Sequence, residues 1–201
     1  MTLAFGGDLL PRLQAMNLKK DRGGLALWAP FLMIVVLSVV WLVSSKNSSN
    51  SRWNYFSSAE GMFSIEFPGT PEKKAVRGRI NDSRFQDATF FVAETVGVAY
   101  MAGYSDEFED VLRQFSADQL LDAARDGAIA NAQGQFLYEL SVTKDGFPGR
   151  DIHFLARGVK SRLQIFLVGR RKYIIGGVNL SANNAKNTER FLNSFQLSRR
   201  F

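Results

Sequence analysis

The feature that most constrains this chain is the stretch Leu25–Val43 (LALWAPFLMIVVLSVVWLV), which carries no charged side chain. At about 1.5 Å rise per residue, a helical run of about 19 residues spans roughly 30 Å, the thickness of the hydrocarbon core of a bilayer. Backbone N–H and C=O groups in lipid must pair within their own segment, so such a run has to be helical. Pro30 falls near its start, where a missing N–H costs least. Trp28 and Trp41 lie toward its two ends, where interfacial aromatic rings belong. A core helix of a globular domain would show a polar stripe, and this run shows none. The expectation is one transmembrane helix with Trp28 and Trp41 at the membrane interfaces.

Apolar regions of cleaved secretory signals run about 7 to 15 residues, so the greater length predicts an uncleaved signal-anchor. Arg12, Lys19, Lys20 and Arg22 precede the run, and Lys46 and Arg52 follow it. That excess predicts a cytoplasmic N-terminus in the cell (inner) membrane and a periplasmic, or otherwise extracytoplasmic, C-terminal domain. The expected organisation is a cytoplasmic tail at 1–24, the span at 25–43, a polar Ser/Asn-rich linker at 44–55 and a folded domain at 56–201.

About 150 residues beyond the span are enough to bury a core without staples. The chain has 17 Phe to fill it and no Cys, which excludes disulfides and thiolate metal sites. Phe63, Ile65 and Phe67 alternate in GMFSIEF before the turn residues PGTP, which predicts a strand. Glu72–Asp87 reads as a charged edge strand and loop, and Ala88–Tyr104 as two strands, or one bent one, broken at Gly97. Ser116 and Gln119 have capping-box spacing ahead of a helix with Leu120, Leu121, Ala124 and Ala128 inward. Strands follow at Phe136–Thr143, Asp151–Arg157, Arg162–Gly169 and Tyr173–Val178, then a helix capped by Ser181 with Phe191, Leu192 and Phe195 inward. Short turns make the pairing antiparallel. The expected class is α+β, an antiparallel β-sheet flanked by helices, with Phe63–Phe67 in the same continuous sheet as the later strands.

Several segments resemble, in order, bacterial domains of the PsbP-like class: GMFSIEFPGTP at Gly61–Pro71, LDAARDG at Leu121–Gly127, GFPGRD at Gly146–Asp151, RLQIFLVGRRKY at Arg162–Tyr173 and FLNSF at Phe191–Phe195. That class includes the extrinsic oxygen-evolving-complex protein of photosystem II, a Ran-binding nuclear factor and mycobacterial lipoproteins. The resemblance covers about Phe56 to Leu197. It implies a sheet sandwiched by helices and supplies no catalytic set.

The chemistry-bearing residues are sparse. His153 is the only histidine; strand alternation sets it opposite Ile152 and Phe154, at a surface or rim. With no Cys and no second His, zinc or copper ligation is not expected, and no G-x-S-x-G elbow or phosphate loop occurs. Neither metal nor cofactor is expected. Charge is more telling: residues 47–143 hold 8 basic and 14 acidic side chains, residues 144–201 hold 12 basic and 3 acidic. A basic face beside a membrane suits anionic headgroups or an acidic partner subunit, whereas nucleic acid is not expected on that side. Arg170, Arg171 and Lys172 are the candidate partner-binding residues, with Arg150 of the loop-like GFPGRD as a further contact.

These features favour a non-enzymatic, single-pass accessory subunit docking on a larger membrane assembly. By the resemblance, a photosynthetic or respiratory complex is the natural candidate. The alternatives are a tethered binding module for a lipid or other apolar ligand, recognisable by an apolar cavity, and an enzyme, recognisable by convergent carboxylates in a cleft. The chain is expected to stay in the membrane fraction through carbonate extraction while external protease digests the domain. Recovery of a soluble chain starting near Lys46 would overturn the anchor.

Overall fold

The computed structural model describes residues 52–79, 84–95, 97–178 and 184–198. The apolar run with Trp28 and Trp41 lies outside them, as does Ser181. Among the described residues no helix is long and apolar enough to cross a membrane. Their order is β1 (Trp53–Ser58), β2 (Phe63–Pro68), β3 (Glu72–Arg79), β4 (Phe85–Thr95), β5 (Val98–Asp106), α1 (Glu109–Gln114), α2 (Ala117–Asn131), β6 (Gly134–Lys144), β7 (Phe147–Ala156), β8 (Val159–Val168), β9 (Arg171–Val178), α3 (Ala185–Asn193) and β10 (Gln196–Leu197).

The class is α+β, with two antiparallel sheets. Seven strands form the central one in the order β3-β4-β5-β9-β8-β7-β6, and β1-β2-β10 form a smaller one. The middle of the central sheet is covered on both faces, so its strands bury consecutive rather than alternate residues; Val98 through Ser105 of β5 are all buried. Ala99 and Met101 point to the α1/α2 side, with Leu121, Ala124 and Ala128 of α2 against them. Val98, Tyr100, Ala102 and Tyr104 point the other way, into a layer built from the small sheet and α3. Three layers result. Gly103 faces Phe90 across the β4–β5 ladder, and a Cβ there would fall 2.6 Å from the Thr89 carbonyl oxygen, so the Phe90 ring packs where a side chain would otherwise stand.

The second layer is aromatic. Phe63 lies 5.7 Å from Phe195 and 6.1 Å from Tyr173 between ring centroids, and Phe191 lies 5.1 Å from both Phe67 and Tyr100. Polar bonds pin the layer in place. The Tyr173 hydroxyl donates to the Gly61 carbonyl at 2.9 Å, and Ser194 Oγ accepts from the Glu66 N–H at 2.9 Å.

The capping box at Ser116 and Gln119 forms as its spacing predicts, with both reciprocal bonds present. Gly97 turns the chain between β4 and β5 at φ +76°. Four expectations are corrected. Phe63–Phe67 pairs with β1 and β10, not with the central sheet, because β2 packs its aromatic side chains face-on against that sheet rather than extending its edge. β1 begins at Trp53, inside the stretch assigned to the linker. The turn before β7 is only Asp145-Gly146, both at positive φ, so Phe147 to Asp151 are strand and Arg150 is not on a loop. Likewise Arg157-Gly158 alone make the next turn, and β8 starts at Val159.

Phe195 is 1 % exposed between the two sheets. Phe195→Ala is expected to cost about 3 kcal/mol or more in equilibrium denaturation, as for other buried aromatic truncations. A change within about 0.5 kcal/mol would mean that α3 does not dock through this ring.

Candidate functional site

The basic segment proposed from sequence is largely consumed inside the fold. Asp106, the last residue of β5, stands opposite Arg171, the first of β9. Arg171 donates twice to that carboxylate, Nε to Oδ1 at 2.7 Å and Nη2 to Oδ2 at 2.8 Å, and once to the Glu60 carbonyl at 2.8 Å. Its guanidinium also lies 4.7 Å from the Tyr104 ring centroid. These hydrogen bonds from Arg171 hold the Asp106 carboxyl below its ordinary range against the opposing effect of burial. Lys172 is ion-paired with the buried Glu107. Arg170 sits exposed in the β8–β9 turn. The segment is therefore not the free basic face that its run of charges suggests.

Arg150 is likewise engaged, across the sheet face rather than locally. Its guanidinium reaches Asp118 at 2.6 Å and Asp122 at 3.6 Å on α2, and Glu139 on β6 at 3.7 Å. Arg125 of α2 joins the group, 2.8 Å from Glu139, 3.3 Å from Asp122 and 2.8 Å from Asp126. This network fastens α2 to β6 and β7.

On the opposite face, the open end of the sheet and α3 enclose a cleft of about 540 Å³ lined by Tyr138, His153, Lys160, Arg162, Thr188 and Glu189 among others. His153 is half-buried and stacks on Tyr138 with centroids 4.3 Å apart. Burial pushes its pKa down, so the ring is neutral near pH 7. Asp151, 4 % exposed in its side chain, takes two hydrogen bonds from Arg162 at 2.9 and 2.7 Å and one from Gln164 at 2.9 Å. Burial alone would raise the Asp151 carboxyl; these hydrogen bonds and the Arg162 charge outweigh it and hold the pKa below normal. Arg162 also meets Glu189 at 2.9 Å. The carboxylates of the cleft are thus matched to one arginine, and the Ser161 hydroxyl donates to the Val159 carbonyl at 3.3 Å rather than to His153. Among the described residues no group of three His, Cys, Asp or Glu is placed to hold a metal ion.

The strand expected at Phe136–Thr143 is present as β6, and what sequence reasoning missed is that it forms an open, apolar edge of the sheet. Of the seven exposed large hydrophobic side chains among the described residues, four are consecutive or nearly so: Phe136 at 45 %, Leu137 at 42 %, Tyr138 at 50 % and Leu140 at 55 %. β6 ends the central sheet and pairs only with β7. Edge strands are ordinarily guarded by charge. The opposite edge, β3, obeys that rule with Glu72, Lys73, Lys74 and Arg77, the last two lysine and arginine heads pairing with Glu72 and Asp87. From Gly134 to Thr143 the only charged residue of β6 is Glu139, and it turns inward to Arg125. A register shift between Phe136 and Tyr138 leaves Leu137 as a bulge, sending Phe136 to the helix face with Phe154 and Tyr138 to the other with His153. The signal in sequence was FLYEL, an apolar run with one charge.

No family model matches the chain, and no curated protein does. Among solved structures, the solution structure of cyanobacterial PsbP (CyanoP) from Synechocystis sp. PCC 6803 is similar. It shares 10 % identity, the match covers 77 % of this chain and 97 % of that one, and the TM-score is 0.48.

Asp151→Asn removes the partner of a guanidinium that is only one-fifth exposed, and is expected to cost about 2–3 kcal/mol at pH 7. The depressed pKa fixes the sign. The stability from Asp151 is complete above the ordinary carboxylate pKa of about 3.9 and is lost as pH falls through the lower folded value. Urea denaturation of both chains should therefore differ most at neutral pH and converge in acid. A gap independent of pH would show that the ion pair does not supply it.

Proposed function

We propose that this chain is a non-catalytic, single-pass accessory subunit, tethered by Leu25–Val43 with its N-terminus cytoplasmic, whose extracytoplasmic domain joins a larger membrane assembly through the uncovered edge of β6. One observation carries the reading: four exposed apolar side chains follow one another on a sheet edge that lacks the charges guarding the opposite edge. Exposed apolar side chains gathered on one edge, Phe136 on its helix face and Tyr138 and Leu140 on the other, mark an interaction surface. That edge is also rigid, fastened from behind by the Arg125–Glu139 and Arg150–Glu139 pairs, so little ordering is needed on association.

The tether supports the reading in a second way. Chains held in one membrane plane meet at high effective concentration, so a modest surface is enough. The cleft beside His153 mixes Leu137, Tyr138 and Phe154 with Lys160, Arg162 and Glu189, so it is not the wholly apolar cavity that the lipid-binding alternative calls for.

The full chain, cross-linked through its lysines while still in the membrane and then solubilised in mild detergent, should run as an assembly larger than the protomer. Tyr138→Ser combined with Leu140→Ser should reduce it to the protomer while costing the fold only about 1 kcal/mol, chiefly the lost Tyr138–His153 stack. An unchanged cross-linked mass, or wild-type chain already at protomer mass, would overturn the proposal.

A further inference from the structure

The bare edge is also complementary to itself. We infer that β6 pairs antiparallel with β6 of a second copy of this chain, about a two-fold axis perpendicular to the sheet and passing midway between the two copies of Leu140. This rests on the reading of β6 as the assembly surface and names its occupant.

A two-fold axis normal to a sheet edge brings one strand against itself in antiparallel sense, so a single patch must satisfy both sides. Directly opposed residues in such a pair share a face. Tyr138, Leu140 and Val142 lie on the face of β6 shared with His153, Asp151 and Gly149 of β7. With the axis at Leu140, Leu140 meets the partner's Leu140 and Tyr138 meets the partner's Val142. On the other face Glu139 meets the partner's Ser141. Apolar residues oppose apolar ones, and the only charge within these five positions is already held by Arg125. No like charges face each other.

Neighbouring registers are worse. Moving the axis to Ser141 sets Tyr138 against the partner's Lys144. Moving it toward the start of the strand runs into the bulge at Leu137, where regular pairing breaks. The β3 edge, with Glu72, Lys73, Lys74 and Arg77, is guarded by charged side chains that would lose water on pairing. Within the central sheet each protomer thus offers one uncharged edge, and pairing there closes at two instead of propagating into an open sheet. A ladder this short makes a small interface, below the size of stable soluble dimers, so the pairing should be weak in solution and sustained by the shared membrane.

The chain has no cysteine, which makes the axis directly testable in membranes holding the full chain. Leu140→Cys places two thiols across the two-fold and should oxidise to a covalent homodimer. Arg77→Cys on the opposite edge should stay monomeric under the same oxidant. Leu140→Lys and Leu140→Glu should each lose self-association, because like charges meet on the axis, and differently tagged copies of the two, expressed together, should recover it. If Leu140→Cys cross-links no better than Arg77→Cys, or the mixture of charge variants fails to associate, the second copy is excluded. Should Leu140→Lys nevertheless reduce the native assembly to the protomer, the edge still docks, on a foreign partner, and only this inference falls. If Leu140→Lys leaves the native assembly intact, the docking surface itself is wrong and both fall.

Discussion

Everything in the domain is arranged around the contact between two sheets through aromatic rings. Phe63 and Phe67 from the small sheet, Tyr100, Phe166 and Tyr173 from the central sheet, and Phe191 and Phe195 from and just after α3 meet in one buried cluster. Rings of this size bury large apolar areas, and their edge-to-face contacts add directional preference to that burial. The cluster explains why β1, β2 and β10 do not extend the main sheet. Joined at its edge, they would have left Phe63, Ile65 and Phe67 with one face in water. Laid across it, all three become fully buried. The cover meets Phe166 of β8, Phe147 of β7 and Val142 of β6 at one end of those strands, and leaves room toward their other end for the cleft and for Tyr138 and Leu140 of β6.

The polarised charge along the chain has a structural explanation. Acidic side chains of the first half and basic ones of the second are paired across the fold: Asp106 with Arg171, Glu107 with Lys172, Asp118 with Arg150, Glu66 with Arg190. A linear count of charge cannot distinguish a basic docking face from one side of such a set of pairs. Here the pairing follows from topology, because β9 lies beside β5 and brings residues 65 positions apart in sequence into register. Breaking a half-buried pair leaves one uncompensated charge behind, so these residues are poor sites for a reversible surface contact.

Much of the architecture was legible where local chemistry dictates it. The reciprocal cap at Ser116 and Gln119, the inward row Leu121, Ala124 and Ala128, the break at Gly97 and the inward Phe191 and Phe195 all depend on short-range spacing, and all are present. The illegible parts depend on long-range partners. Pro148 and Gly149 look like turn residues, yet they pair with Thr143 and Val142 because the positive φ angles of Asp145 and Gly146 complete the reversal before them. Trp53–Ser58 follows a polar stretch and carries two exposed residues in its middle, so only its pairing with β2 reveals a strand. The β6 surface was hidden for the same reason. Phe136, Tyr138, Leu140 and Val142 read as one alternating apolar face, and the bulge divides them between two faces.

That bulge has a consequence for how the length of the chain can vary. Leu137 is one residue of slack in the ladder, since Phe136 and Tyr138 already stand opposite the adjacent Phe154 and His153. Removing it would leave a regular pair of strands with every later partner unchanged. Between Tyr138 and Lys144 there is no such slack. The two-residue turn fixes the count, and losing a single residue would carry Glu139 and its ion pairs to the opposite side of the sheet. Insertions and deletions among descendants of this sequence should therefore gather at Leu137 and spare the seven positions after it.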